Sequence, residues 1–579
     1  MSQGHSAYYD AIKQRFADER SVRMGARPAG FVQYAALAVD EAGINDPHKP
    51  SPIQRNGVTE TVDVAIIGGG FSGLMVAARL LAKGPHRIRI IERGADFGGT
   101  WYWNRYPGAA CDSVSFDYMP MLDEMGYVPS KHYAGGDEIF GYARAMGARH
   151  ALYDRALFQT TVTSTTWDPA ARRWRIATDR GDAIGARFVV CANGSMAKPK
   201  LARIEGMERF RGHAFHTSRW DYDYTGRDLE KLADKRVGVI GTGASAIQVV
   251  PNLGAAAKEL FVFQRTPSSV QVRRDQDTDP EWARQLGKSW QADRRAAARA
   301  TPMSFVSLIY QALQDAGTPR SLKALAAMPP EERAVELEQA NIDYTMLVHK
   351  RIDSIVEDPA TAEALKPWYM FGCKRPCIHN DYLPTFNRPN VRLVDTKGRG
   401  VTEIAEGGPV VDRVEYALDL IVYATGFEVQ RVGVYNRISG RDSVDLEDKY
   451  RDGMSTYLGV HTAGFPNLFF MGGRQAAFQF NITEVLEPQA VYVANCIGAM
   501  LEEGYVSIEP RDEVEAAWVD RIVAGARVGA KFVGQCTPGY YNNEGDPHPR
   551  NGNFSGPLTD YLTFLETTER DRRAHFHIL

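Results

Sequence analysis

Short, nearly continuous apolar runs mark the chain at residues 62–67 and 236–240, and each gives way at once to a glycine-rich turn. A continuous run of that length predicts a strand buried on both faces. The helical spacing of apolar residues after the turn predicts a strand–turn–helix unit. Further strands are expected at 187–192, 391–394 and 419–423. Residues 158–168 and 173–178 alternate in character across Pro169-Ala-Ala-Arg172, which predicts a β-hairpin. From 275 to 370 the chain is rich in Ala, Glu, Gln, Arg and Leu at helical spacing with no strand pattern, which predicts a helical insertion. Ahead of the first strand, residues 6–23 read as a helix with Tyr8, Ile12 and Phe16 on one stripe. A second helix is expected over 30–42, followed by a polar linker carrying Pro47, Pro50 and Pro52. The tail 539–556 is dense in Gly, Asn and Pro, as a mobile surface loop would be.

The two turns carry the chemistry. Gly68-x-Gly70-x-x-Gly73 follows the first strand, and Gly241-x-Gly243-x-x-Ala246 follows the second. One such turn is a weak signal. Two in strand–turn–helix context imply two dinucleotides, each with its pyrophosphate on a helix N-terminus. Glu92 lies 24 residues after Gly68, and Arg265 lies 24 residues after Gly241. A carboxylate at that offset accepts from an unphosphorylated ribose. A guanidinium there receives a 2′-phosphate, and the neighbouring Thr266 adds a hydroxyl donor. The first site is therefore read as FAD and the second as NADPH.

These elements imply an α/β fold with two dinucleotide-binding domains, both split in sequence. An N-terminal helical extension and linker occupies 1–60. The FAD domain takes 61–197 and 425–579, with Thr425-Gly426 at the second crossing. The NADPH domain takes 198–274 and 371–424, and the helical insertion takes 275–370. The chain is long enough at 579 residues for several domain-sized cores, and its formal charge of −3 points to neither nucleic acid nor an anionic membrane. No apolar stretch is long enough to span a bilayer, and the polar start has no signal-like apolar core. The dispersed cysteines, including Cys373 and Cys377 around Lys374-Arg375-Pro376, are expected to be ordinary reduced thiols of a cytoplasmic enzyme. The histidines show no ligand spacing, so no metal is expected.

Between the two turns lies Phe210-x-Gly212-x-x-x-His216-x-x-x-Trp220-Asp221. It resembles the fingerprint of type I Baeyer–Villiger monooxygenases. A second family pattern is met by the run from Gly98-Gly99 through Trp101 and Tyr106-Pro107-Gly108 to Asp112. The resemblance runs from about residue 62 to the C-terminus. It implies two Rossmann-like domains of glutathione-reductase type. It also implies that NADPH reduces FAD and that O₂ is used, through a C4a-peroxyflavin, to insert oxygen beside a ketone carbonyl. The substrate expected is a bulky or cyclic ketone, and the oligomeric state is not legible.

The resemblance also implies roles. Arg375 would be the catalytic cation, held by Asp112. Lys374 would join Arg265 and Thr266 at the 2′-phosphate. His216 and Trp220, with Phe210, Gly212 and Asp221, would organise a loop linking the domains, and no contact with substrate is assigned to them. The FAD set would take in Phe71, Ser72, Gly99, Thr100, Trp101 and Tyr118, and the NADPH set Thr242, Ala244 and Ser245. Trp101, Trp103 and Tyr106 would read alone as core, and within this pattern one of the three rings would pack near the flavin. Three alternatives stay open: an N- or S-oxidising flavin monooxygenase, which Trp220 and Asp112 disfavour; a disulfide reductase, for which Cys111 has no partner nearby; and a catalytically idle nucleotide-binding scaffold.

Overall fold

The computed structural model describes residues 3–25, 34–36, 46–48, 51–196, 198–202, 204–300, 304–429 and 437–579. Two sheets organise them. The larger is built on Thr59–Ile67, flanked in parallel by Ile88–Ile91 on one side and Ala183–Cys191 on the other. Ala183–Cys191 serves two neighbours in turn. Its first half pairs antiparallel with Arg173–Thr178, the inner strand of the hairpin with Val162–Asp168. Its second half pairs in parallel with Leu468–Phe470, which arrives from the far end of the chain. A strand buried on both faces can be apolar throughout, and Val64, Ala65 and Ile66 are fully buried.

The smaller sheet is parallel throughout, in the order Val391–Asp395, Glu259–Gln264, Arg236–Ile240, Leu420–Tyr423 and His213–His216. Each sheet is covered by the helix that follows its first glycine turn, Phe71–Lys83 on the larger and Ala244–Ala256 on the smaller. Helix Thr483–Glu502 packs on Phe71–Lys83 and buries Val485, Val493 and Ile497. At about 1.5–3 kcal/mol for each such side chain removed from water, this layer ties the C-terminal third to the first dinucleotide unit. Between 275 and 370 the described residues form helices, the longest being Pro330–Ile355.

Five expectations are corrected. The N-terminal helix, Gln3–Gly25, buries Tyr9 with Ile12 and Phe16 against Ile342, while Tyr8 is 47% exposed. Steps of three and four residues keep one face of a 3.6-residue helix, whereas two steps of four drift off it. The helix expected over 30–42 falls mostly outside the described residues, but Tyr34–Ala36 is a strand paired with Lys200–Ala202. An available strand edge outweighs the weak helical preference of three residues. The fingerprint is not wholly a loop: His213–His216 is the edge strand of the smaller sheet, followed by a 3₁₀ turn. The tail 539–556 winds into 3₁₀ turns closed by the buried Asn542, whose side chain accepts from the Gly539 and Gly545 N–H groups. Finally, Cys373 is not a free thiol. It is disulfide-bonded to Cys536, 163 residues away, whereas Cys111, Cys191, Cys377 and Cys496 are free and buried. Spacing along a chain carries no information about such a distant partner.

Candidate active site

A cavity of about 1110 Å³ is lined by both glycine turns. Helix Phe71–Lys83 starts on Gly70 and helix Ala244–Ala256 on Gly243, and neither has a side-chain cap. The first-turn N–H groups are thus left without intrahelical or capping partners where Gly70, Phe71, Ser72, Gly243, Ala244 and Ser245 line the cavity. The glycines have separate reasons. Gly68 has φ +113°, and a Cβ there would lie 2.6 Å from the Ala192 carbonyl oxygen. A Cβ at Gly73 would lie 2.0 Å from the Gly68 carbonyl oxygen, so Gly73 closes helix on strand and does not itself line the cavity. Around Gly243 a Cβ would meet nothing within 4 Å, leaving open space for a phosphate. Uncapped donors lining the cavity fit a dinucleotide at each turn.

Glu92, at the end of the strand Ile88–Ile91, is buried. Its carboxylate accepts from the Gly69 N–H at 2.5 Å and the Gly94 N–H at 2.6 Å. Burial pushes its pKa up, against the pull of those two donors. It lines the cavity with Gly99, Thr100, Trp101 and Tyr118, and the Trp101 indole N–H donates to the Tyr118 hydroxyl at 2.9 Å. A Cβ on Gly99, at φ +53°, would fall 2.7 Å from Gly70 Cα, so the second family pattern closes on the first glycine turn.

Across the cavity, Arg375 and Asp112 form a two-pronged pair. Nε donates to Oδ2 at 2.8 Å and Nη2 to Oδ1 at 2.6 Å. The nearby carboxylate raises the Arg375 pKa well above its ordinary value, so its charge is fixed at any working pH. Both groups line the cavity with Lys374, whose Nζ donates to the Pro538 carbonyl at 2.6 Å. On the nucleotide side stand Gly241, Thr242, Arg265 and Thr266, with Thr425 and Gly426 at the crossing. The Thr242 hydroxyl donates to the Thr266 carbonyl at 2.6 Å, and Arg265 lies 3.7 Å from Glu544.

None of the fingerprint residues Phe210, Gly212, His216, Trp220 and Asp221 lines the cavity. A Cβ on Gly212 would strike the Phe210 ring at 2.4 Å and the Asp419 carbonyl at 2.7 Å. Trp220 is fully buried against Phe215, its N–H on the Thr225 hydroxyl at 3.1 Å. Asp221 pairs with His213 at 2.9 Å. His216 accepts at Nδ1 from the Ser218 N–H at 3.1 Å and faces the Gly426 carbonyl through Nε2 at 3.1 Å. A carbonyl can only accept, so the ring is the neutral Nε2–H form. Burial, with Arg219 nearby, lowers its pKa to about 3. His216 thus connects the fingerprint to a cavity residue by one hydrogen bond.

Sequence reasoning missed Tyr540 and Tyr541, which line the cavity within electrostatic reach of Arg375. Two adjacent tyrosines in a Gly- and Asn-rich tail were the available signal. It also missed Arg23, which reaches the cavity from the N-terminal helix.

Residues 65–289 match the family model described as pyridine nucleotide-disulphide oxidoreductase. The chain is 44% identical over 577 residues to a pentalenolactone D synthase of Streptomyces exfoliatus, covering 96% of this chain and 97% of that one. It is 43% identical to a Baeyer–Villiger monooxygenase of Streptomyces coelicolor, covering 93% and 91%. Among solved structures, a polycyclic ketone monooxygenase from Thermothelomyces thermophila superposes with a TM-score of 0.87 at 34% identity over 99% of both chains. OTEMO in complex with FAD and NADP gives 0.77 at 28% identity, over 90% of this chain and 99% of that one. Likeness of this extent covers both glycine turns, the insertion and the C-terminal layer together, and it places the chain in the Baeyer–Villiger monooxygenase family, FAD- and NADPH-dependent oxidoreductases that insert one oxygen atom beside a ketone carbonyl.

Proposed function

We propose that Arg375 is the catalytic cation of this monooxygenase, that Asp112 positions it, and that the substrate is a bulky, fused-ring ketone. The observation carrying this reading is the two-pronged Arg375–Asp112 pair, which faces the cavity between the two glycine turns. Bound FAD supplies the electron transfer and oxygen chemistry; the protein's part is to bind, orient, charge and dry the site. The first turn and Glu92 hold FAD. The second turn, with Arg265, Thr266 and Lys374, holds NADPH by its 2′-phosphate. Arg375 keeps a positive charge where negative charge develops, in a cavity to which Trp101, Tyr118, Tyr540 and Tyr541 contribute aromatic lining. A guanidinium suits that task because it does not give up its proton.

The ring system is supported by relatives named for a polycyclic ketone and for pentalenolactone D. The Cys373–Cys536 disulfide weighs against the strongly reducing compartment expected from the dispersed cysteines. The test is a panel of ketones of increasing ring number with purified protein, NADPH and air. The expected outcome is ester or lactone from fused-ring ketones, faster than from single-ring ones, with NADPH consumed one for one. Preference for a thioether over every ketone would overturn it.

A further inference from the structure

The N-terminal helix ends at the nucleotide side of the cavity. Its first turns are anchored on helix Pro330–Ile355: Tyr9, Ile12 and Phe16 bury against Ile342, and the Tyr9 hydroxyl donates to Asp343 at 3.0 Å. That docking carries the last turn to the rim of the second dinucleotide unit. There the Arg23 side chain is only 9% exposed and lines the cavity. Its Nη1 donates to the Arg265 carbonyl and, at 2.7 Å, to the Thr266 hydroxyl oxygen. Its Nη2 faces Glu19, one turn back, at 3.3 Å. Its Nε is buried with no hydrogen-bond partner.

This is an expensive place for a cation. Burial and the charge of Arg265 both work against it, and the half-buried Glu19 together with the charge of Asp395 offsets part of that cost. The Arg265 guanidinium is close enough for its charge to act on Arg23, and both line the cavity; two neighbouring guanidiniums are stabilised together by an anion. The hydrogen bond to Thr266 also has a direction. By occupying the oxygen's lone pair, Arg23 leaves the Thr266 hydroxyl proton to donate elsewhere, which is what a phosphate oxygen requires.

We propose that Arg23 is part of the 2′-phosphate pocket, so that the N-terminal helix helps to select NADPH over NADH. The inference rests on the reading of Arg265 and Thr266 given above. It assigns the extension a role in coenzyme recognition, with Arg23 adding positive charge and orienting the Thr266 hydroxyl.

The test is equilibrium calorimetry on the FAD-loaded full chain with NADP⁺, NAD⁺ and 2′,5′-ADP, for wild type, R23A, R23K and R265A. R23A is expected to weaken NADP⁺ and 2′,5′-ADP by about tenfold or more, the value of one charge-assisted contact, and to leave NAD⁺ unchanged. R23K, which keeps the charge and loses the planar fork, should fall between. The gap between wild type and R23A should narrow as salt is raised. Equal losses for NADP⁺ and NAD⁺ in R23A, or no loss for either, overturn the role of Arg23. If R265A discriminates between the coenzymes and R23A does not, Arg23 alone is misassigned; if neither does, the 2′-phosphate site itself is misplaced. Should R23A fail to retain FAD, R23K, which preserves the buried stem, decides by the same selective loss.

Discussion

A guanidinium clamped by a carboxylate on two of its nitrogens has one remaining edge, and at Arg375 the cavity is where that edge can act. Arg375→Ala should still bind FAD, because Glu92 and the first glycine turn are untouched, and should still accept electrons from NADPH. Ester formation should fall by about 10²–10³-fold, the usual cost of one preorganised electrostatic group. NADPH should then be consumed with hydrogen peroxide as the product, measured as peroxide formed per NADPH. Asp112→Ala should show the same uncoupling in milder form, since the charge survives and only its aim is lost. An unchanged ratio of ester to NADPH in Arg375→Ala would move the catalytic cation elsewhere. The pair was legible from the resemblance, but not its geometry: residues 112 and 375 come together only because the turn after the helical insertion folds back on the first unit.

Strand–turn–helix units were the most legible elements, and their glycines separate two physical demands. Gly73→Ala places a Cβ 2.0 Å from a backbone oxygen, so the helix must shift from its strand. Overpacking of this kind costs about 1–3 kcal/mol or more, and the variant should lose FAD and melt earlier. Gly243→Ala meets nothing within 4 Å, so it should fold and hold FAD normally while binding NADP⁺ more weakly. Flavin content and coenzyme titration of the two variants distinguish closure from phosphate access. The fingerprint strand is a different case. His216 holds the Gly426 carbonyl at the crossing between the two units, so His216→Ala should keep FAD yet lower the rate of flavin reduction by NADPH, followed by stopped-flow absorbance. A wild-type rate of reduction and of ester formation would remove that role. The edge-strand conformation of His213–His216 was not legible, because its apolar content is low and its pairing partner, Leu420–Tyr423, lies about 200 residues on.

The molecule as a whole holds buried histidines neutral. His216 and His461 are both fully buried, and burial lowers each from its ordinary value of 6.5 to about 3. In the unfolded chain they take up protons near pH 6.5; in the folded chain they do not until near pH 3. Below about 6.5 the unfolded state therefore binds more protons, and stability falls as pH falls. The limiting slope is about 1.4 kcal/mol per pH unit for each such histidine. Urea midpoints should drop between pH 7 and pH 5, and His461→Gln should flatten that dependence. A midpoint independent of pH over that range would mean that these rings gain compensating partners on protonation.

Local signals carried much of this protein into view. Continuous apolar runs, the two glycine turns and the opposite charges at the same offset, Glu92 and Arg265, depend on a few neighbouring residues, and backbone geometry at a tight turn leaves little choice among residue types. What only the tertiary structure decided joins segments far apart in the chain. The disulfide spans 163 residues, from Cys373 to Cys536. Tyr540 and Tyr541 reach the cavity because Asn542 folds the tail back. Arg23 reaches the coenzyme side because Tyr9, Ile12 and Phe16 found a face on helix Pro330–Ile355. Residues 34–36 became a strand because Lys200–Ala202 offered an edge. In each case the deciding energy lies in a contact with a partner that no local pattern names, so the outcome is set by packing and not by propensity.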